Sequence, residues 1–85
     1  MKSIKYTVTT TAQIVVPAKN FNREVYTHVI GNGIVYLGDS TVTSTAGTPT
    51  EKHTTPFGLF VPAGETVYAL VSTGTEDLRV LDWSI

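Results

Sequence analysis

Cysteine is absent from this chain and charge is scarce, with six Lys and Arg set against seven Asp and Glu among 85 residues. Without thiols, neither a disulfide framework nor a cysteine-ligated metal reinforces the core, and a domain of this length buries only about 60–65% of its unfolded surface. Packing or oligomerisation has to supply the stability. The formal charge of −1 and the isoelectric point near 6.0 come from scattered single residues. No basic stripe is present to neutralise phosphates, which argues against a nucleic-acid partner. Nor is there the run of about 18 apolar residues that a membrane-spanning helix requires. Met1-Lys2-Ser3-Ile4-Lys5-Tyr6 leads into alternating threonine and apolar residues, where an export signal would continue as an unbroken apolar segment. The expectation is a soluble chain made in a cytoplasm, with no membrane partner and no export address. A helical 3.6-residue repeat is missing as well, so the apolar residues must be placed by another period.

That period is two. Ile4, Tyr6, Val8, Thr10, Ala12, Ile14 and Val16 share one parity, opposite Lys5, Thr7, Thr9, Thr11 and Gln13, as in a half-buried strand ended by Pro17. Residues 18–23 read as a connection. Residues 24–30 and 34–37 flank Gly31-Asn32-Gly33, whose residue types tolerate the positive φ of tight turns, and this predicts a hairpin. Residues 39–56 are crowded with Ser, Thr, Gly and Pro, which predicts at most a short strand at 41–43 and an exposed polar loop over 44–55. Strands follow at 57–61, 66–72 and 77–83, with turns at 62–65 and 73–76. About six or seven short strands at these intervals predict a single all-β domain over 1–85, a small antiparallel β-sandwich or jelly-roll-like barrel. Residues 1–16 form its N-terminal strand or an arm laid on a neighbour.

Residues 25–30, 34–37 and 66–71 are apolar on both parities, whereas a sheet with one wet face should alternate. The N-terminal strand covers part of the second face, and contact with another subunit covers the rest. Alternatively, β-propensity alone places Val and Tyr outward. The surface built by Val25, Tyr26, Val29, Val35, Leu37, Tyr68 and Leu70 is expected to divide between core and intersubunit contact.

The chemical motifs are thin. Gly38-Asp39-Ser40 evokes a nucleophilic serine, but such a serine opens a helix in a longer α/β chain and needs a base and an orienting acid. Here strand-prone Thr41-Val42-Thr43 follows it, so a turn with local side-chain bonds is the expected structure. Enzymatic chemistry would require Ser40, Asp39 and His28 to meet by folding, and no catalytic residue is assigned. His28 and His53 lack partners at ligand spacing, and zinc needs three or four ligands. His28 is expected half-buried or at an interface, and His53 solvated. A metal shared by His28 on an oligomer axis is the sharper but less economical alternative. Gly31-Asn32-Gly33 leads into a strand and not into the helix N-terminus that a phosphate loop uses. No cofactor is expected. Trp83, Tyr26, Tyr36 and Tyr68 could form sugar platforms, but they lie in strand patterns, which favours core or interface packing.

The segments "GNGIVYLGDSTVTSTAGTP" and "FVPAGETVYALVSTGTEDLRVL" resemble small virion proteins of tailed bacteriophages. In that group a strand ending in Tyr-Leu-Gly-x-Ser-x-Val precedes a polar Gly-Thr/Pro loop, and a Pro-x-Gly-Glu turn leads to Val-Tyr-Ala and a closing strand. The resemblance runs from Asn32 to Val80. It implies a capsid decoration or cement protein on the exterior of the phage head, partnered by the major capsid protein lattice and often trimeric. Tyr6, Val8, Tyr26, His28, Tyr36, Tyr68 and Trp83 are the candidate contacts to subunit or capsid. A tail-fibre or baseplate module that grips a host glycan is the alternative. A head-completion or connector protein would carry helices or long loops, which the sequence does not offer.

Overall fold

The structure is a computed structural model that describes residues 1–52 and 57–83. Eight strands occur among them: β1 (Lys2–Val8), β2 (Gln13–Val16), β3 (Arg23–Val29), β4 (Val35–Gly38), β5 (Thr48–Thr50), β6 (Phe57–Val61), β7 (Val67–Leu70) and β8 (Glu76–Asp82). They form two antiparallel four-stranded sheets, sheet A in the order β1-β8-β3-β6 and sheet B in the order β2-β7-β4-β5.

The pairing has a simple origin. β1 pairs with β8, β2 with β7, β3 with β6 and β4 with β5, as in one long folded ribbon. Rolling that ribbon sets β3 beside β8 and β4 beside β7. Eight strands in this order make a double-sheet jelly roll, so the expected sandwich is present with more strands than its six or seven.

Alternation fills the space between the sheets. Sheet A contributes Val8, Val25, Val29, Val61, Leu78 and Val80, and sheet B contributes Val16, Val35, Leu37 and Ala69. The valine-rich composition suits a pleated inner face. At one end of this core Arg23 and Asp82 are buried as an ion pair, with Nε and Oδ2 3.6 Å apart. The Arg23 guanidinium also donates through Nη2 to the carbonyl of Pro17, fastening the β2–β3 connection. The smallest dimension of the molecule is 16 Å. That is two sheets packed about 10 Å apart, and among the described residues only the segment 39–47 covers part of an outer face, that of sheet B.

Several expectations need correction. Residues 4–16 are not one strand: the chain leaves sheet A after Val8 and enters sheet B at Gln13. Thr9 marks the corner, its carbonyl accepting from Val71 N at 3.0 Å. A register shift between Ile14 and Val16 then reverses the parity, so Val15 is buried and Ile14 is 46% exposed. β1 neither covers a second face nor reaches away as an arm, since it pairs with β8 of its own chain from Lys2 to Val8.

Gly31-Asn32-Gly33 does not close a hairpin, because β3 and β4 belong to different sheets. Neither glycine has a positive φ; those that do are Gly64 and Gly74, in the turns expected at 62–65 and 73–76. Gly31 and Gly33 are small for another reason. The Glu76 carboxylate lies against both, where a Cβ would overlap it, and it accepts from Gly33 N at 2.8 Å. Residues 41–43 form no strand, and β5 lies instead inside the expected polar loop, with Thr50 buried. The remainder of that loop at 53–55, including His53, is outside the described residues.

Candidate functional site

The two outer faces differ in chemistry. None of the four strands of sheet B contains a charged residue, and every charged residue within a strand belongs to sheet A. On the outer face of sheet B, Ile14 stands opposite Tyr68, and Tyr36 stands between Leu70 and Pro49. Leu70 is covered from within the chain, because residues 39–47 fold back over this face. A Cβ on Gly38 would lie 2.9 Å from Val42 Cγ2, and one on Gly47 would lie 2.8 Å from Tyr36 Cβ, so both glycines admit this close approach.

The turn that begins this segment is Gly38-Asp39-Ser40. Asp39 Oδ1 accepts from Thr41 N at 2.9 Å and from Thr41 Oγ1 at 2.6 Å, and Val42 N donates to the Asp39 carbonyl at 3.0 Å. The hydroxyl and then the amide of Thr41 hold the Asp39 carboxyl below its ordinary value. The turn aims Val42 at the sheet. Ser40 is exposed beside it, while His28 lies on the opposite outer face, so folding does not bring Ser40, Asp39 and His28 together. Among the described residues no three His, Asp or Glu side chains cluster as metal ligands.

Sheet A presents a mixed face. Phe60 stands opposite Glu24, and Trp83 follows Asp82, the partner of Val25, so it arrives alongside Glu24. Tyr26 lies in the next row, between Gly58 and Leu81. The Tyr26 and Trp83 rings are 5.6 Å apart and tilted by 45°. A Cβ on Gly58 would meet Tyr26 Cε1 at 3.0 Å, so the ring covers this edge glycine. Trp83 is 50% exposed and Phe60 60% exposed. Hydrogen bonding to the Glu24 carboxylate, with its negative charge, raises the Tyr26 hydroxyl above its ordinary value.

The third row is ionic, with His28 and Lys5 on either side of Arg79. Arg79 donates to Asp77 through Nε at 2.9 Å and Nη2 at 3.0 Å. This pairing lowers the Asp77 carboxyl and raises the guanidinium.

A cleft of about 260 Å³ opens between the sheets near the end of β6, lined by Leu37, Leu59, Val61 and Val67 with exposed Asp39 and Glu65. It falls below the ~300–1,000 Å³ of most small-molecule sites and is sized for a side chain.

Of the residues singled out in the sequence, Tyr26, His28 and Trp83 lie on the face of sheet A, and Tyr36 and Tyr68 on that of sheet B. Val8 is wholly buried and Tyr6 packs against the core. Both follow the inward parity of β1, an edge strand with its even residues inside; Val8 is corrected from contact residue to core, and Tyr6 is half-buried beside it. Val25, Val29, Val35, Leu37 and Leu70 are likewise buried. Phe60, Ile14 and Glu24 were missed. Strict alternation through Leu59-Phe60-Val61 would have placed Phe60 outward, whereas nothing local marks the bulge that exposes Ile14. No family model matches the chain, and neither do any curated protein or solved structure.

Proposed function

We propose that this protein is a structural virion protein, a decoration or cement protein of a phage head, and that it docks through the outer face of sheet B. One observation carries the reading: this face joins Ile14, Tyr36, Tyr68 and Pro49 with no charged residue in any of its strands. The centre of a protein–protein interface is depleted of charge and enriched in tyrosine, because desolvating an ion without a partner costs more than the contact returns. The molecule extends 33 × 28 Å in its broad directions, which accommodates the ~800 Å² per partner of a standard interface. The charged strands lie on the other sheet and remain in water.

Double-sheet jelly rolls recur in viral capsid and lectin domains, an analogy of fold that adds weight without assigning a role. The protein would act by mass action, binding the assembled shell and not its dissociated subunits, and so stabilising the lattice against opening. Trimerisation, implied by the resemblance, would multiply each weak contact. The test is co-sedimentation of purified protein with undecorated heads of the parent bacteriophage, beside host cell envelopes. Saturable binding to heads at a fixed ratio to the shell subunit is expected. Binding to envelopes alone would replace this reading with a tail-tip adhesin.

A further inference from the structure

We infer that the outer face of sheet A is a saccharide-binding platform centred on Trp83, Tyr26 and Phe60, with Glu24 as its hydrogen-bonding acceptor. The inference does not rest on the virion reading, which uses the opposite face.

Exposed aromatic rings alone would fit a protein partner equally well. What separates the two is the polar group set among them. The Glu24 carboxylate lies in the same row as Phe60 and Trp83, directly opposite Phe60. Two rows away His28 and Arg79 stand side by side, Arg79 ion-paired to Asp77 and 44% exposed at its side chain. A protein interface laid over this face would have to supply partners of its own for Glu24 and for that ion pair, and where it did not, the lost hydration would commonly exceed the Coulombic gain.

A pyranose meets both demands. Its axial C–H groups form an apolar face with weakly positive hydrogens that stack on the negative face of an aromatic ring. Its hydroxyls, projecting from the ring edge, donate to the Glu24 carboxylate and replace the water it loses, while a further sugar of an oligosaccharide accepts from the guanidinium and imidazole about 13 Å along the strand. The rings are also held in place. Tyr26 is braced over Gly58 and against Trp83 at 5.6 Å, its hydroxyl beside Glu24. Tyr26 and Trp83 are tilted by 45°, so together they form a shallow angled seat and not a flat stack. Tyr26 and Phe60 stand on sheet strands, and such supports reduce the entropy lost on binding.

Trp83 is the only tryptophan in the chain, so its emission reports on the platform directly. The purified protein should be titrated with maltohexaose, with chitohexaose and with the O-chain of a bacterial lipopolysaccharide, in the absence of phage heads. A saturable change in Trp83 emission with at least one probe is expected. Phe60→Ala and Glu24→Gln retain the reporter and should each weaken binding about tenfold, as loss of one ring contact or one charge-assisted hydrogen bond does. Trp83→Ala, followed by calorimetry, should abolish binding, and Trp83→Phe should restore part of it. Thr45→Ala, on the far side of the sandwich, should leave binding unchanged. An unchanged emission with all three probes overturns the inference. So does a blue shift that depends on protein concentration alone, which would show that a second copy occupies this face. Because no heads are present, failure here leaves the proposed docking of sheet B untouched.

Discussion

Breaking the buried Arg23–Asp82 pair should destabilise the fold more than removing it altogether. Both side chains are 2% exposed, and Nε and Oδ2 lie 3.6 Å apart. At that separation an effective dielectric near 20 gives an attraction of about 5 kcal/mol, offset by the loss of hydration of both ions. Arg23→Met leaves the Asp82 carboxylate buried beside an apolar side chain and should cost about 3–5 kcal/mol. Asp82→Leu strands a guanidinium whose Nη1 has no hydrogen-bond partner among the described residues, and should cost a similar amount. The double variant, which puts apolar volume where the ions were, should lie within about 1 kcal/mol of the parent or above it. Domains of this length have a total stability of roughly 4–13 kcal/mol, so either single variant removes a large share. Urea denaturation followed by Trp83 emission reads the effect directly. With a slope of about 1 kcal/mol/M, the midpoint of a single variant should fall by about 3 M or more. A loss below about 1 kcal/mol in both single variants would refute a structural role for the pair. Costs that simply add in the double variant would refute the coupling.

Three further predictions follow from buried polar groups and close approaches. Thr50 Oγ1 is buried with no hydrogen-bond partner among the described residues, so Thr50→Val should raise stability by about 1 kcal/mol in the same denaturation assay. Gly33→Ala displaces the Glu76 carboxylate, the far end of a flexible side chain, from its hydrogen bond to Gly33 N and should cost about 0.5–1.5 kcal/mol; in a Glu76→Ala background the same change should cost less. Burial, reinforced by the charge of Asp82, raises the Tyr6 hydroxyl above its ordinary 10.0. The folded state therefore holds that proton more tightly than the unfolded one. Its contribution is fully present below pH 10.0 and is lost as pH rises through the raised value. Tyr6→Phe should flatten this alkaline fall in a series of melts above pH 9.

The period-two pattern and the Pro62-Ala63-Gly64-Glu65 and Thr73-Gly74 turns made the all-β class legible, because strand alternation and positive-φ glycine are local properties. The roll was not legible, since it depends on pairings such as Lys2 with Asp82 that span almost the whole chain. The corner at residues 9–12 was hidden because threonine continued the alternation across it. Gly31 and Gly33 misled for a different physical reason. Their missing side chains make room for Glu76, distant in sequence, and glycine chosen for space reads the same as glycine chosen for φ. β5 is Thr-Pro-Thr, whose composition belongs equally to a loop and to an edge strand blunted by proline.

For the candidate site, outward tyrosines were foreshadowed by strands apolar on both parities. Tyr6 and Val8 could not be assigned until β1 was known to keep its even residues inside. The contrast between the two sheets was invisible in the sequence, where the charged strands β1, β3 and β8 are separated by uncharged strands of both sheets and come together only once each strand has its sheet.

Co-sedimentation with undecorated heads, repeated with one variant on each face, tests the division of labour between the two sheets most directly. The account predicts that Tyr68→Glu, which places a charge at the centre of sheet B, abolishes binding to heads, while Trp83→Ala on sheet A binds at the parent ratio. Loss of head binding in Trp83→Ala with full binding by Tyr68→Glu would contradict it and move the docking surface to the aromatic face.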